Sequence, residues 1–222
     1  MFPDNFSVLV IGDQGTGMFE FCCYLGASYL KAGERVVFVN TSTPPDSVRR
    51  QMTEFGINAF DFELEDKLVM VDCYTRGQVH MTDITIRVRD INNLEEVIQR
   101  VTEGIIKVGG APVKVIFHSV TPLHVEHEDE IMQEFMEALS SMVKISGSMT
   151  CSVHRGALSD DQIAGLSSSA DGVLEMKVDE SFKRFVRIRK LKGTRISPKW
   201  VPFEFERDEA VDGTSLIWKG SR

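Results

Sequence analysis

Residues 12–19 read Gly12-Asp13-Gln14-Gly15-Thr16-Gly17-Met18-Phe19, with glycines at the first and sixth positions. That is the frame of G-x-x-x-x-G-K-[ST], a loop whose backbone N–H groups cradle phosphate while its lysine neutralises charge and its hydroxyl holds Mg²⁺. The glycine frame is present, but Met18 stands at the lysine position and Phe19 at the hydroxyl position. A backbone nest at a helix N-terminus still attracts an anion. A charge-assisted hydrogen bond contributes about 1.5–3 kcal/mol, so the missing lysine alone lowers nucleotide affinity by roughly one to two orders of magnitude. Glu20, in the first helical turn, adds a like charge beside any phosphate unless it turns away. The same glycines also suit a tight turn from strand to helix with no ligand, and the motif alone leaves both readings open. No cofactor is expected, although weak binding of ATP, ADP or another anion at the glycine loop is compatible with the frame.

The elements that must hold this loop follow from the hydrophobic pattern. Residues 7–12 form a continuous β-branched run, the glycine loop breaks it, and residues 18–30 continue as a long apolar helix stopped by Gly33. Residues 35–40 are a second buried strand. Thr43 is expected to cap a helix entered through Pro44-Pro45, with Val48, Met52 and Phe55 at helical spacing and Gly56 at its end. Further strands are expected at 68–72, 113–117 and 149–153, with helices at 93–108 and at about 128–145. In the second of these, Ile131, Phe135, Leu139, Met142 and Val143 form the apolar stripe. Strands separated by helices of this length pair in parallel with right-handed crossovers, so the fold class is α/β. Strands at 173–178 and 182–191, joined at Asp179-Glu180-Ser181, add an antiparallel hairpin to that sheet. Residues 77–89, with Ile84-Thr85-Ile86, read equally as a loop or a small edge strand, and residues 208–222 as a partly loose tail.

The chain has 222 residues, 42% hydrophobic and 26% charged, which suits one domain over 1–222 with a full core. Its net charge of −8, with 33 acidic against 25 basic residues, disfavours a nucleic-acid partner. No apolar run approaches the roughly 20 residues that cross a bilayer, so no membrane partner and a cytoplasmic location are expected. Cys22, Cys23, Cys73 and Cys151 form no C-x-x-C pair and read as reduced core thiols.

Later segments join the glycine loop in one pattern. They are Thr43-Pro44-Pro45-Asp46-Ser47-Val48-Arg49-Arg50-Gln51-Met52 with Phe55-Gly56, the run Val115-Ile116-Phe117-His118-Ser119-Val120-Thr121-Pro122-Leu123, and Ala170-Asp171-Gly172-Val173. Arg187-Ile188-Arg189-Lys190-Leu191-Lys192-Gly193-Thr194-Arg195 and Trp200-Val201-Pro202-Phe203-Glu204 complete it. With these residues the chain resembles the KaiC-like branch of the RecA-type ATPases over nearly its whole length. The resemblance implies a RecA-like three-layer sandwich around a mainly parallel sheet.

The resemblance also implies site positions. The strand-end aspartate that organises Mg²⁺ is His118 here, followed by Ser119, and the acidic pair that activates the attacking water corresponds to Thr41-Ser42. Lysine, magnesium hydroxyl, magnesium carboxylate and general base are then absent together, and phosphoryl transfer depends on positioning and charge neutralisation. The expectation is an inactivated ATPase homologue with no catalytic residue, acting as an assembly or regulatory subunit. Its partners would be further copies of itself or an active KaiC-like relative. The alternative is a nucleotide-binding ATPase or switch using the glycine loop with unconventional ligands. In the resembling family the basic residues matching Lys190 and Lys192 reach a neighbouring subunit's phosphates, and Arg195 closes the same run. Lysine at 192 cannot donate bidentately as arginine does. A solvated strand face also accounts for this basic run.

Five histidines, His80, His118, His124, His127 and His154, raise the question of metal. His124 and His127 have a spacing that suits one helical face, but the segment reads as preceding its helix and lacks a second ligand pair, so no metal is expected. His118-Ser119 near His154 has the types of a base and a nucleophile with no oriented acid. Met132, Met136, Met142 and Met149 read as core filler.

Overall fold

The computed structural model describes residues 2–75, 84–208 and 213–218. Its chain order begins β1 (Ser7–Gly12), α1 (Met18–Lys31), β2 (Arg35–Asn40), α2 (Pro45–Glu54), α3 (Ala59–Leu64), β3 (Leu68–Asp72) and β4 (Ile86–Arg87). It continues with α4 (Leu94–Lys107), β5 (Val113–His118), α5 (Thr121–Glu126), α6 (Asp129–Ser146), β6 (Gly147–His154) and α7 (Asp160–Ser169). The C-terminal part is all strand: β7 (Gly172–Val178), β8 (Arg184–Leu191), β9 (Val201–Asp208) and β10 (Gly213–Trp218). Among the described residues these strands form one sheet in the order β10-β9-β8-β7-β1-β6-β5-β2-β3-β4. Pairing is parallel from β7 through β4 and antiparallel from β7 through β10.

Alternate residues of β1 explain the three layers. Val8 and Val10 face α1 and α2 with Phe21, Leu25 and Met52, whereas Leu9 and Ile11 face α4, α6 and α7 with Val101, Leu139 and Ile163. A strand buried on both faces needs apolar side chains at every position, which is why the parallel strands read as unbroken apolar runs. All four cysteines are free and buried. Among the described residues no helix is long and apolar enough to cross a membrane.

Several local expectations are corrected. Thr43 does not cap α2; Pro44 occupies that position, and the Thr43 carbonyl and hydroxyl instead accept bonds from the Asn40 side-chain amide. Ile131 is 46% exposed: the buried stripe of α6 keeps the expected Phe135, Leu139 and Val143 but begins at Met132 and adds Met136. The His124 segment precedes α6 as expected but itself forms the short helix α5, with His124 buried. Strand β8 starts at Arg184, and Phe182 belongs to the turn. Of residues 77–89, the described part contributes the two-residue edge strand β4; His80 lies outside the described residues. Strands β9 and β10 extend the sheet beyond the expected hairpin, and β10 falls within the segment expected to be loose; residues 209–212 and 219–222 lie outside the described residues.

Candidate phosphate-loop site

Residues 13–17 link the C-terminal end of β1 to α1, where the sequence motif requires them. Gly15 and Gly17 have φ of +82° and +81°, a left-handed conformation that glycine adopts without penalty. The buried Thr16 hydroxyl donates to the Asp13 carbonyl at 2.8 Å and closes the loop on itself. Gly17 is the N-cap of α1 and no side chain bonds the helix start, so the first-turn N–H groups are left for water or an anion. The loop borders a cavity of about 220 Å³ that His118, His154 and Arg184 also line. That volume lies below the roughly 300–1,000 Å³ of ordinary small-molecule pockets. Asp13 and Glu20 border the cavity as well, so its rim carries both signs of charge.

Met18 packs into the α1-side core, and the Phe19 ring lies 5.4 Å from that of His118. His118 is 2% exposed and shares a 2.7 Å hydrogen bond between its Nδ1 and the Ser152 hydroxyl. Burial, with a smaller contribution from His154, pulls its pKa down to about 3, so the imidazole is neutral near pH 7. Burial also lowers that of His154, against the opposing pull of Asp13. The Thr41 hydroxyl donates to the Ser119 carbonyl at 2.6 Å and accepts from the Ser119 N–H at 3.0 Å. Ser42 stands 3.3 Å from it, hydroxyl to hydroxyl. The Ser119 hydroxyl reaches Thr121 Oγ1 at 2.8 Å, which accepts from the His154 N–H at 2.8 Å. These bonds tie the C-terminal ends of β2, β5 and β6 together.

A family model described as an ATPase of the KaiC type matches residues 1–212. The chain belongs to the KaiC ATPase family. The UPF0273 protein of Methanopyrus kandleri is 28% identical over 94% of this chain and 84% of its own length. That of Thermotoga maritima is 26% identical over 91% and 85%. Among solved structures, a KaiC-like protein from the hyperthermophilic archaeon Pyrococcus horikoshii OT3 superimposes with a TM-score of 0.73 at 24% identity, covering 97% of this chain and 91% of that one. The fold is the KaiC-like RecA fold.

Within this KaiC-family chain, Gly12 to Phe19, His118, Ser119, Thr41 and Ser42 gather at one end of the sheet. The basic run does not join them. Lys190 lies opposite Val173 at the start of β7, whereas Gly12 lies opposite Met176 near its end. The Lys190 ammonium donates to the carbonyls of Ser167, Ser168 and Ala170 at 3.1, 3.0 and 2.6 Å, closing the C-terminus of α7. Lys192 is 76% exposed and 3.6 Å from Asp171; Arg195 is exposed beyond β8. Sequence reasoning missed Arg184, whose Nε would stand 3.2 Å from a β-carbon at Gly17 and whose guanidinium lies over the Phe205 ring. It thus brings a cation to the loop from the far hairpin, a juxtaposition with no sequence signature. Glu175, buried in β7, pairs with Arg155, Arg187 and Arg189 at 2.7, 2.5 and 3.1 Å. Although burial alone raises its pKa, the arginine hydrogen bonds win and hold it below the usual carboxylate range. Among the described residues no three potential ligands stand close enough to hold a metal. His124 Nδ1 is 3.8 Å from Asp129, while His127 sits between the carbonyls of Leu123 and Asn92.

Proposed function

We propose that this chain is a KaiC-family protein without ATPase activity that works in the cytoplasm as an assembly or regulatory subunit, through self-association or pairing with an active relative. The observation that carries the reading is the chemistry at the sheet end. Where phosphoryl transfer needs a lysine, a magnesium hydroxyl, a magnesium carboxylate and a base, the chain places Met18, Phe19, His118 and Thr41-Ser42. A neutral His118 bonded to Ser152 supplies no charge to Mg²⁺. A Thr41 hydroxyl engaged with the Ser119 backbone is a poor substitute for a carboxylate that draws a proton from water.

Arg184 favours a second reading, a nucleotide-binding switch that uses the glycine loop with this arginine as its cation. Calorimetric titration with Mg·ATP and Mg·ADP, beside a hydrolysis assay, tests both. The leading reading expects no saturable heat and no turnover above buffer. Saturable binding lost in Arg184→Ala favours the switch.

A further inference from the structure

We propose that Phe182, at the tip of the β7–β8 hairpin, anchors one copy of this chain in the apolar groove between α1 and strands β7–β9 of the next copy. The inference rests on the assembly reading above and names its contact.

Phe182 is 88% exposed, contributes to neither core cluster and holds φ at +60°, the left-handed region that an L side chain enters at a cost of about 1–2 kcal/mol. The turn is nevertheless firmly built. Asp179 Oδ1 accepts the N–H groups of Ser181 and Lys183, each at 2.9 Å, and the Ser181 hydroxyl at 2.8 Å. Phe182 N–H donates to the Asp179 carbonyl at 3.0 Å. A fixed tip therefore holds a large aromatic out in water, outside both apolar clusters of the described residues. Such a preset anchor gives up little freedom when it docks, and buried aromatics dominate interface energetics.

The same chain carries a receptor of matching chemistry. A groove of about 650 Å³ runs beside α1, with Phe21, Leu25, Leu174, Val186 and Leu216 among its apolar walls. Its size lies within the range of ordinary binding pockets. The exposed Lys199 lines its edge, while the tip carries Asp179 and the exposed Glu180 against the exposed Lys183, so a net acidic tip meets a basic groove edge. Phe182 does not line the groove of its own chain: the tip lies past the end of β7, and the groove extends toward Leu191, opposite the start of β7. Anchor and groove are thus different patches and each copy offers one of each, so the contact repeats head to tail in a ring or a filament or closes reciprocally in a two-fold dimer.

Light scattering after gel filtration tests this with two variants, each checked for folding by circular dichroism. Phe182→Ser removes the anchor, and Ser28→Trp fills the groove from its α1 wall. Wild type should assemble, and each variant alone should weaken assembly at least about tenfold. An equimolar mixture should give a single 1:1 dimer, because one intact anchor and one intact groove remain. Glu180→Lys should weaken assembly and Glu180→Lys with Lys199→Glu should restore it. Wild-type assembly that persists in Phe182→Ser, or folded variants that stay monomeric when mixed, overturns the inference and leaves the assembly reading standing. A wild type that stays monomeric overturns both the inference and the self-association on which it rests.

Discussion

At position 18 a methionine side chain lies in the core where a phosphate loop directs an ammonium at its ligand. Restoring that one charge leaves Phe19, His118 and Thr41-Ser42 unchanged. Met18→Lys is therefore expected, like wild type, to show no ATP or GTP hydrolysis above buffer in a phosphate-release assay; wild-type turnover within the ordinary range of about 1–10³ per second, abolished by changing Gly17, would refute the inactive reading. His118 yields a second prediction at the same scale. Its pKa falls from 6.5 to about 3 on folding, so between these values the unfolded chain binds a proton that the folded chain refuses. The neutral-histidine contribution is complete above pH 6.5 and is lost as pH falls toward 3, an effect on the order of a few kcal/mol. His154 shifts in the same direction. Urea midpoints of wild type should drop on acidification through this window, and those of His118→Gln should drop less. Equal slopes for the two proteins would show that His118 does not carry the effect.

Helix α7 is held at both ends by side chains. Ser159 and Gln162 form a capping box at its start, and Lys190 closes its last carbonyls from β8. Lys190→Ala should lower stability by about 1 kcal/mol and speed amide exchange in α7 ahead of the rest of the chain. Protection of α7 unchanged from wild type would contradict this. The start of β6 is more demanding. A β-carbon at Gly147 would fall 1.8 Å from the carbonyl oxygen of Val113 on β5, and neither strand can move without breaking its other pairings. Gly147→Ala should cost about 3 kcal/mol or more, seen as loss of soluble protein or of the denaturation midpoint. A midpoint within error of wild type would mean that the strands part more readily than their pairing suggests.

Over the whole molecule, a net charge of −8 coexists with a basic strip along β8 and the segment that follows it. Arg184, Arg187 and Arg189 are partly or largely exposed there, and Lys192, Arg195 and Lys199 are exposed as well. Acidic surface elsewhere on a second copy is its natural counterpart, and contacts between exposed charges weaken as salt shortens the screening length. The mean mass by light scattering should therefore be higher at low salt than at high salt. Equal masses at both, with Phe182→Ser still reducing assembly, would assign association to apolar contact alone.

The parallel core was legible because each of its strands had to be apolar on both faces, a constraint written into five or six consecutive residues. The position of the glycine loop was legible for the same reason, since a continuous run must end before a helix can begin. The chemical types at 18, 19, 118 and 41–42 were equally plain, as a side chain's charge needs no fold to be known. What surrounds those side chains was decided by tertiary contact. His118 is neutral because β5, β6 and Phe19 enclose it, and Thr41 is occupied because β2 ends beside Ser119. Ile131 faces water because at the first turn of α6 the core takes Met132 in its place, although Phe135, Leu139 and Val143 are buried as the stripe predicts. Arg184 reaches Gly17, and Lys190 reaches the C-terminus of α7, because the β7–β8 pairing fixes where along the strand each one stands. Sequence alone thus determined what repeats locally, the period and polarity of each element, whereas the meeting of residues distant along the chain depended on sheet order and register, which only the folded chain sets.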